Sequence, residues 1–276
     1  MSYINKTFGY NSYKDYIEKT KTKQLNADVN NFALDINGKK LGIELPSNYD
    51  KLISNISNVV KDKLKNQEII KEDHEFAYKI TGMLDVDEVL ELGEHFSKEL
   101  SDKLYGSEVF VQHLHVYQNK ITESSESSSW LWHYDNCAPG QIKLMIYLTP
   151  TTKETGAFRV LKSAKEDSAL LIESSRISPT ETRSPNFPGS RLSPEVIQDL
   201  KNQGYEEHYI EGEPGTFVVF SQNTPHKATI PTEKPERICM IYNFRPYHTP
   251  LKTHISKELT NDWTFKGDVK GYQYYI

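Results

Sequence analysis

The sequence predicts one domain of the α+β class, mainly β, in which a sandwich or jelly roll carries N-terminal helices packed on one sheet. Three observations predict it. Apolar residues recur at helical spacing up to about residue 105. Short β-branched and aromatic runs punctuated by Pro and Gly follow from Val109 onward. The length of 276 residues suits a single β-rich domain and leaves room for a sizeable core.

Residues 1–107 read as a mainly helical layer. In Tyr49–Asn66, Leu52, Ile53, Ile56, Val59, Val60 and Leu64 fall on one helical face, and in Val86–Tyr105 so do Val89, Leu90, Leu92, Phe96, Leu100 and Leu104. Residues 108–248 read as the jelly-roll core, with strands expected at 109–118, 142–148, 157–163, 215–221 and 237–244. An insert at 173–205 is polar and rich in Ser and Pro. A loop that long inside a domain is usually functional or disordered. Ser193 followed by Pro194 is an N-cap signature for a short helix running to about Asn202. A tail, 249–276, completes the single domain expected over 1–276.

Charge narrows the function. With 33 basic against 38 acidic residues the net charge is −5, so the chain lacks the basic footprint of a nucleic-acid binder. No apolar run is long enough to span a bilayer, and the N-terminus has no apolar signal core, which points to a soluble cytoplasmic protein. The two cysteines, Cys137 and Cys239, are too few for a disulfide framework and read as unlinked thiols.

The chemistry concentrates in Ser-Trp-Leu-Trp-His-Tyr-Asp, residues 129–135. Read as a strand, this segment puts His133 and Asp135 on one face, where an imidazole and a carboxylate converge on a metal. Non-haem iron oxygenases use two His and one carboxylate. His226, after the apolar run Gly215–Ser221 and a Thr-Pro turn, qualifies as the second His. Arg237 opens the next strand, whose alternation aligns Arg237, Cys239, Ile241 and Asn243. A guanidinium facing inward there needs an anion, and a dicarboxylate cosubstrate supplies one.

The segments WHYD, KLMIYLTPTTKETGAFRVLKSA, GTFVVFSQNTPH and ERICMIYNFRP together resemble the Fe(II)/2-oxoglutarate-dependent dioxygenases, specifically the phytanoyl-CoA hydroxylase and ectoine hydroxylase branch. The resemblance covers roughly residues 109–248. It implies a double-stranded β-helix, the cupin-like jelly roll, with His133, Asp135 and His226 as metal ligands and catalytic centre. It further implies that Arg237 binds the distal carboxylate of 2-oxoglutarate. VYQNK at 116–120 is similar to a strand of ectoine hydroxylases, which makes Gln118 a second cofactor-binding candidate. The implied cofactors are Fe(II), 2-oxoglutarate and O2, with ascorbate a helper in vitro. Two positions depart from the family pattern: Leu161-Lys162-Ser163-Ala164 replaces Pro-Gly-Ser-His, and Ala228 stands where a hydroxyl residue often follows the distal His.

The implied reaction is hydroxylation of a C–H bond of a small-molecule metabolite with release of succinate and CO2. Asp135, standing where halogenating relatives have a small residue, favours hydroxylation. Two other readings stay open: hydroxylation of a protein side chain, and a catalytically silent jelly-roll binding protein. Trp130 and Trp132 are expected to pack in the core. Lys143 is either a pocket cation or a solvated side chain, and Arg176, Arg183 and Arg191 either grip an anion or solubilise the insert. His113 and His115 alternate on one strand without a paired carboxylate. His74, His95, His208, His248 and His254 read as surface or packing residues. The prime substrate and the oligomeric state have no readable code.

Overall fold

The computed structural model describes residues 29–246, apart from 30, 68–69, 75, 107–108, 124–127, 136, 138–139 and 173–190. Most of the insert, the tail at 249–276, Arg176, Arg183, His248 and His254 therefore lie outside the described residues, as does the side chain of His74. Ten strands are described: β1 Leu34–Ile36, β2 Ile70–His74, β3 Ala77–Ile80, β4 Val109–Asn119, β5 Ile142–Tyr147, β6 Phe158–Ser163, β7 Tyr205–Ile210, β8 Phe217–Ser221, β9 His226–Lys227 and β10 Ile238–Pro246. Three α-helices accompany them: α1 Tyr49–Asn66, α2 Asp87–Leu100 and α3 Pro194–Asn202.

All pairings between these strands are antiparallel. The larger sheet runs β1-β8-β5-β10-β4-β3-β2 and the smaller runs β7-β6-β9. The two sheets form the mainly β jelly roll expected from the strand pattern. The N-terminal region departs from its helical reading, because β1, β2 and β3 lie within it and extend both edges of the larger sheet. Strands as short as Leu-Asp-Ile and Ala-Tyr-Lys-Ile carry too little alternation to announce themselves.

Period-two alternation divides the larger sheet into two faces. Its outer face, with Leu114, Val116, Leu144, Ile146, Phe217, Val219, Met240 and Tyr242, packs on α1 and α2 through Leu52, Ile56, Val60, Val89, Leu92 and Phe96. Phe96 is wholly buried, with its ring centroid 5.2 Å from that of Phe217 and 6.4 Å from that of Tyr49. The helix pattern that predicts α2 continues one turn further as a π-turn, Ser101–Tyr105. The inner face, with Leu34, Met145, Tyr147, Val218, Phe220 and Cys239, meets Phe158, Val160 and Ile210 of the smaller sheet.

Helix α3 begins as expected, with Ser193 accepting from the Val196 N–H and Pro194 at the first helical position. Its Ile197 closes on Trp132 and Leu161. No helix among the described residues is long and apolar enough to cross a membrane.

Candidate metal centre

Residues 129–135 do not form the strand expected of them. Ser128–Trp130 make a single 3-10 turn, and His133 follows as an isolated bridge that pairs with His226 on one side and Arg191 on the other. The local sequence explains the difference. Two tryptophans two residues apart are drawn into separate apolar pockets, Trp130 onto Phe76 and Ala228 and Trp132 onto Leu161 and Ile197. That divergence bends the chain before it straightens at His133.

Straightening brings the residues together. His133 and His226 exchange backbone bonds, N–H to O, at 3.0 and 2.8 Å, and the Asp135 N–H donates to the Gln222 carbonyl at 2.7 Å. The segment thus lies antiparallel to the turn between β8 and β9 and widens the smaller sheet beyond β9. One ligand atom from each of His133, Asp135 and His226 lies within 4.8 Å of the others, and all three residues are buried.

Both imidazoles are oriented from behind. His133 Nδ1 bonds the Leu131 carbonyl at 2.8 Å and His226 Nδ1 bonds the Thr224 carbonyl at 2.7 Å. A carbonyl only accepts, so each Nδ1 carries the proton and each Nε2 keeps its lone pair. A histidine that ligates through Nε2 needs this tautomer. His226 is further wedged between Phe158 and Phe220, each ring 5.4 Å away.

The electrostatics agree with that donor set. Burial lowers His226 to about 4, and burial with the neighbouring His226 holds His133 well below its ordinary value. Both rings are then neutral near pH 7. For Asp135, burial works upward, but Lys143 and the two imidazoles outweigh it and hold the carboxyl far below the usual range. Neutral imidazoles contribute no charge, so near neutral pH Lys143 is the persistent cause. Two neutral imidazoles and one carboxylate are the protonation states a divalent cation requires.

Lys143, left open by sequence alone, bonds Asp135 Oδ2 directly and faces the interior. It shares the inner face with Phe220, its partner on β8, and Asn243, its partner on β10.

Arg237 lies just before β10 and is 4% exposed. Its Nη2 donates to Asn119 Oδ1 at 3.3 Å, whereas Nε and Nη1 are buried and make no well-formed hydrogen bond among the described residues, the Tyr147 hydroxyl being the polar group beside the guanidinium. Orphaned guanidinium donors on an inner face fit an incoming carboxylate, the group a dicarboxylate cosubstrate would supply.

Gln118 requires a correction. It pairs with Ile238, one position out of phase with Arg237, and shares the outer face with Val116 and Leu114. The inward neighbour of Arg237 is Asn119, whose Nδ2 also donates to the Thr229 carbonyl at 3.2 Å. The pleat decides this, since adjacent residues of a strand point to opposite faces. Asn119 was legible only from the cross-strand register. The same register places His113, His115 and Tyr117 on the inner face, with His115 and Tyr117 stacked 5.8 Å apart.

His95 bonds the Glu44 carbonyl, and His208 on β7 sits in the same cross-strand row as His226, separated from it by Val160 of β6. Arg191 brackets His133 from the bridge opposite His226. Ala228 is buried against Trp130 and Phe76, and Leu161 against Trp132, so both departures from the family pattern are filled by packing.

No family model matches the chain, and no curated protein matches it in sequence. Solved structures share its fold. EctD from S. alaskensis, crystallised with bound Fe, is 14% identical, with 82% of this chain and 77% of that chain covered at a TM-score of 0.54. The non-heme alpha ketoglutarate dependent epimerase SnoN from nogalamycin biosynthesis is 13% identical, with 92% and 97% covered at 0.51. AviO1 from Streptomyces viridochromogenes Tue57 is 9% identical, with 84% and 95% covered at 0.50. At these identities the likeness establishes the fold.

Proposed function

We propose that the protein is a non-haem Fe(II)- and 2-oxoglutarate-dependent oxygenase that hydroxylates a C–H bond of a small-molecule metabolite, with release of succinate and CO2. The observation that carries this reading is the buried His133–Asp135–His226 cluster, with both Nε2 atoms unprotonated and the Arg237 donors awaiting an anion. The fold agrees, since EctD was solved with Fe and with 2-oxoglutarate and SnoN is described as alpha ketoglutarate dependent.

In this reading His133, Asp135 and His226 hold the iron on one side, and the metal with its cosubstrate supplies the oxidising power. The chain's own residues do the rest. Leu131 and Thr224 carbonyls hold the imidazoles in the ligating tautomer. Arg237, oriented by its bond to Asn119, takes the distal carboxylate of 2-oxoglutarate and fixes the cosubstrate's direction. Phe158 and Phe220 exclude water beside His226. Lys143 holds Asp135 Oδ2 and keeps the carboxylate ionised, leaving Oδ1 toward His133.

One observation favours a second reading. The Lys143 ammonium already occupies one Asp135 oxygen, which is what a silent jelly-roll binding protein would show. Succinate formation separates the two. The enzyme reading expects Fe(II)-dependent conversion of 2-oxoglutarate to succinate that disappears in folded His133→Ala and Asp135→Ala variants; turnover that persists in both contradicts it.

A further inference from the structure

The two oxygens of Asp135 have different surroundings. Oδ1 lies 4.0 Å from His133 Nε2, on the side where the three ligand atoms gather. Oδ2 accepts a hydrogen bond from the Lys143 ammonium. The two side chains are 7% and 20% exposed, so the ion pair is largely shielded from water.

The backbone beneath the carboxylate is fixed on both sides. The Asp135 N–H donates to the Gln222 carbonyl, and the Gln222 side chain is braced in turn by donating to Asn243 Oδ1 at 3.5 Å. Two residues on, Cys137 and Asn223 close a reciprocal pair: the Cys137 N–H donates to Asn223 Oδ1, and Asn223 Nδ2 donates to the Cys137 carbonyl, both at 2.9 Å. Rotation of the carboxylate about its own bonds is what these contacts leave open, and Lys143 removes it. Lys143 stands on β5, an interior strand of the larger sheet, between Phe220 of β8 and Asn243 of β10. Its side chain therefore reaches Asp135 from a rigid base.

We propose that Lys143 is a positioning residue that makes Asp135 a one-oxygen ligand, so that an ion at the triad keeps three positions for exchangeable ligands; this rests on the iron and 2-oxoglutarate reading above. A carboxylate can hold a divalent ion through one oxygen or through both. Taking both here would strip the ammonium of its partner inside the protein, and a buried charge left unpaired is strongly unfavourable. Ligation through Oδ1 alone keeps the pair intact, with ion and ammonium on opposite oxygens of one carboxylate. The consequence lies in the count of positions. An octahedral ion held by two imidazoles and one oxygen has three left, two for 2-oxoglutarate and one for dioxygen. A second Asp135 oxygen would fill the last of them. A lysine that only stabilised the fold would leave that count unchanged.

The test loads the full-length protein with Mn(II) and counts ion-bound waters by 17O relaxation of the solvent. The expected count is three in the parent protein, falling to one at saturating 2-oxoglutarate, and two in Lys143→Met, falling to none. Two waters in the parent protein, or three in folded Lys143→Met, overturns the inference. A second measurement uses the parent protein alone. With 15N-labelled lysine, the ammonium signal protected from exchange should persist when Zn(II) is added; its loss on Zn(II) binding overturns the inference as well. The underlying reading is scored separately. Should 2-oxoglutarate displace no water, the cosubstrate reading fails while the counts with and without Lys143 still decide its role. Should it displace two while those counts agree, only the role of Lys143 fails. Mn(II) that does not bind removes both.

Discussion

His133 and His226 exchange a reciprocal pair of backbone hydrogen bonds, and their rings lie 4.3 Å apart between centroids. Residues far apart in sequence are thus held as neighbours by main-chain bonds, with each ring fixed by its own Nδ1 bond, so the distance between the two imidazoles does not depend on a metal. A metal site built this way is preorganised, and side-chain substitutions at the triad act on metal affinity more than on the fold.

Asp135→Ala should therefore fold and lose Fe(II) affinity by at least about 100-fold, because partners outside the ligand set are themselves worth about 10–100-fold. Isothermal titration under anaerobic conditions measures this. Affinity within tenfold of the parent protein would remove Asp135 from the ligand set.

Arg237→Met should act in opposite directions on two measurements. The buried guanidinium has two orphaned donors without a ligand, so the substitution should leave thermal stability of the ligand-free protein unchanged or raised. Binding of 2-oxoglutarate should weaken roughly 100-fold, since each charge-assisted bond contributes about 1.5–3 kcal/mol. A stability loss with unaltered 2-oxoglutarate binding would make Arg237 a structural residue.

Asn119 and Gln118 provide a matched pair. Asn119→Ala frees the guanidinium plane and should raise the KM for 2-oxoglutarate, whereas Gln118→Ala on the outer face should change it less than twofold. Gly156→Ala should resemble Asn119→Ala. Gly156 has φ +107°, and a Cβ there would come within 3.2 Å of the Thr229 carbonyl and 3.3 Å of Asn119 Nδ2. Steady-state kinetics at varied 2-oxoglutarate would reveal an equal response at 118 and 119, which would contradict the register.

Acid should destabilise the metal-free protein in a definite window. The folded state holds His226 at about 4 by burial, while the unfolded chain binds its proton near 6.5. The unfolded state binds more protons between these values, so stability is full above about 6.5 and declines toward about 4. Lowered His133 adds in the same direction, and Asp135 adds a further loss only at more acid pH. Urea midpoints should hold from pH 7.5 to about 6.5 and fall from there to 4.5, and His226→Gln should flatten the slope.

What was legible in the sequence follows from which signals are local. The faces of α1 and α2 depend on spacing within one segment, and the structure buries Leu52, Ile56, Leu92 and Phe96 as that spacing indicates. The cap at Ser193 is equally local. His133, Asp135 and His226 stood out as residue types, but their convergence comes from a bridge and not from the strand their spacing suggested. Asn119, Lys143 and Asn243 acquire meaning only from cross-strand register, where a shift of one residue exchanges the two faces. Gln118 and Asn119 are adjacent, and the register with β10 is what separates their faces. Strands β1–β3 escaped because runs of three to five residues are too short to display the alternation of a longer strand.

The central claim is that one metal ion and one molecule of 2-oxoglutarate meet at His133, Asp135 and His226. Anaerobic visible spectroscopy of the protein with Fe(II) and 2-oxoglutarate tests it most directly. The expected result is a weak visible absorption band that requires both additions, saturates at one equivalent of iron and vanishes in Asp135→Ala. A folded parent protein that shows no such band, or a band that survives in Asp135→Ala, would contradict it.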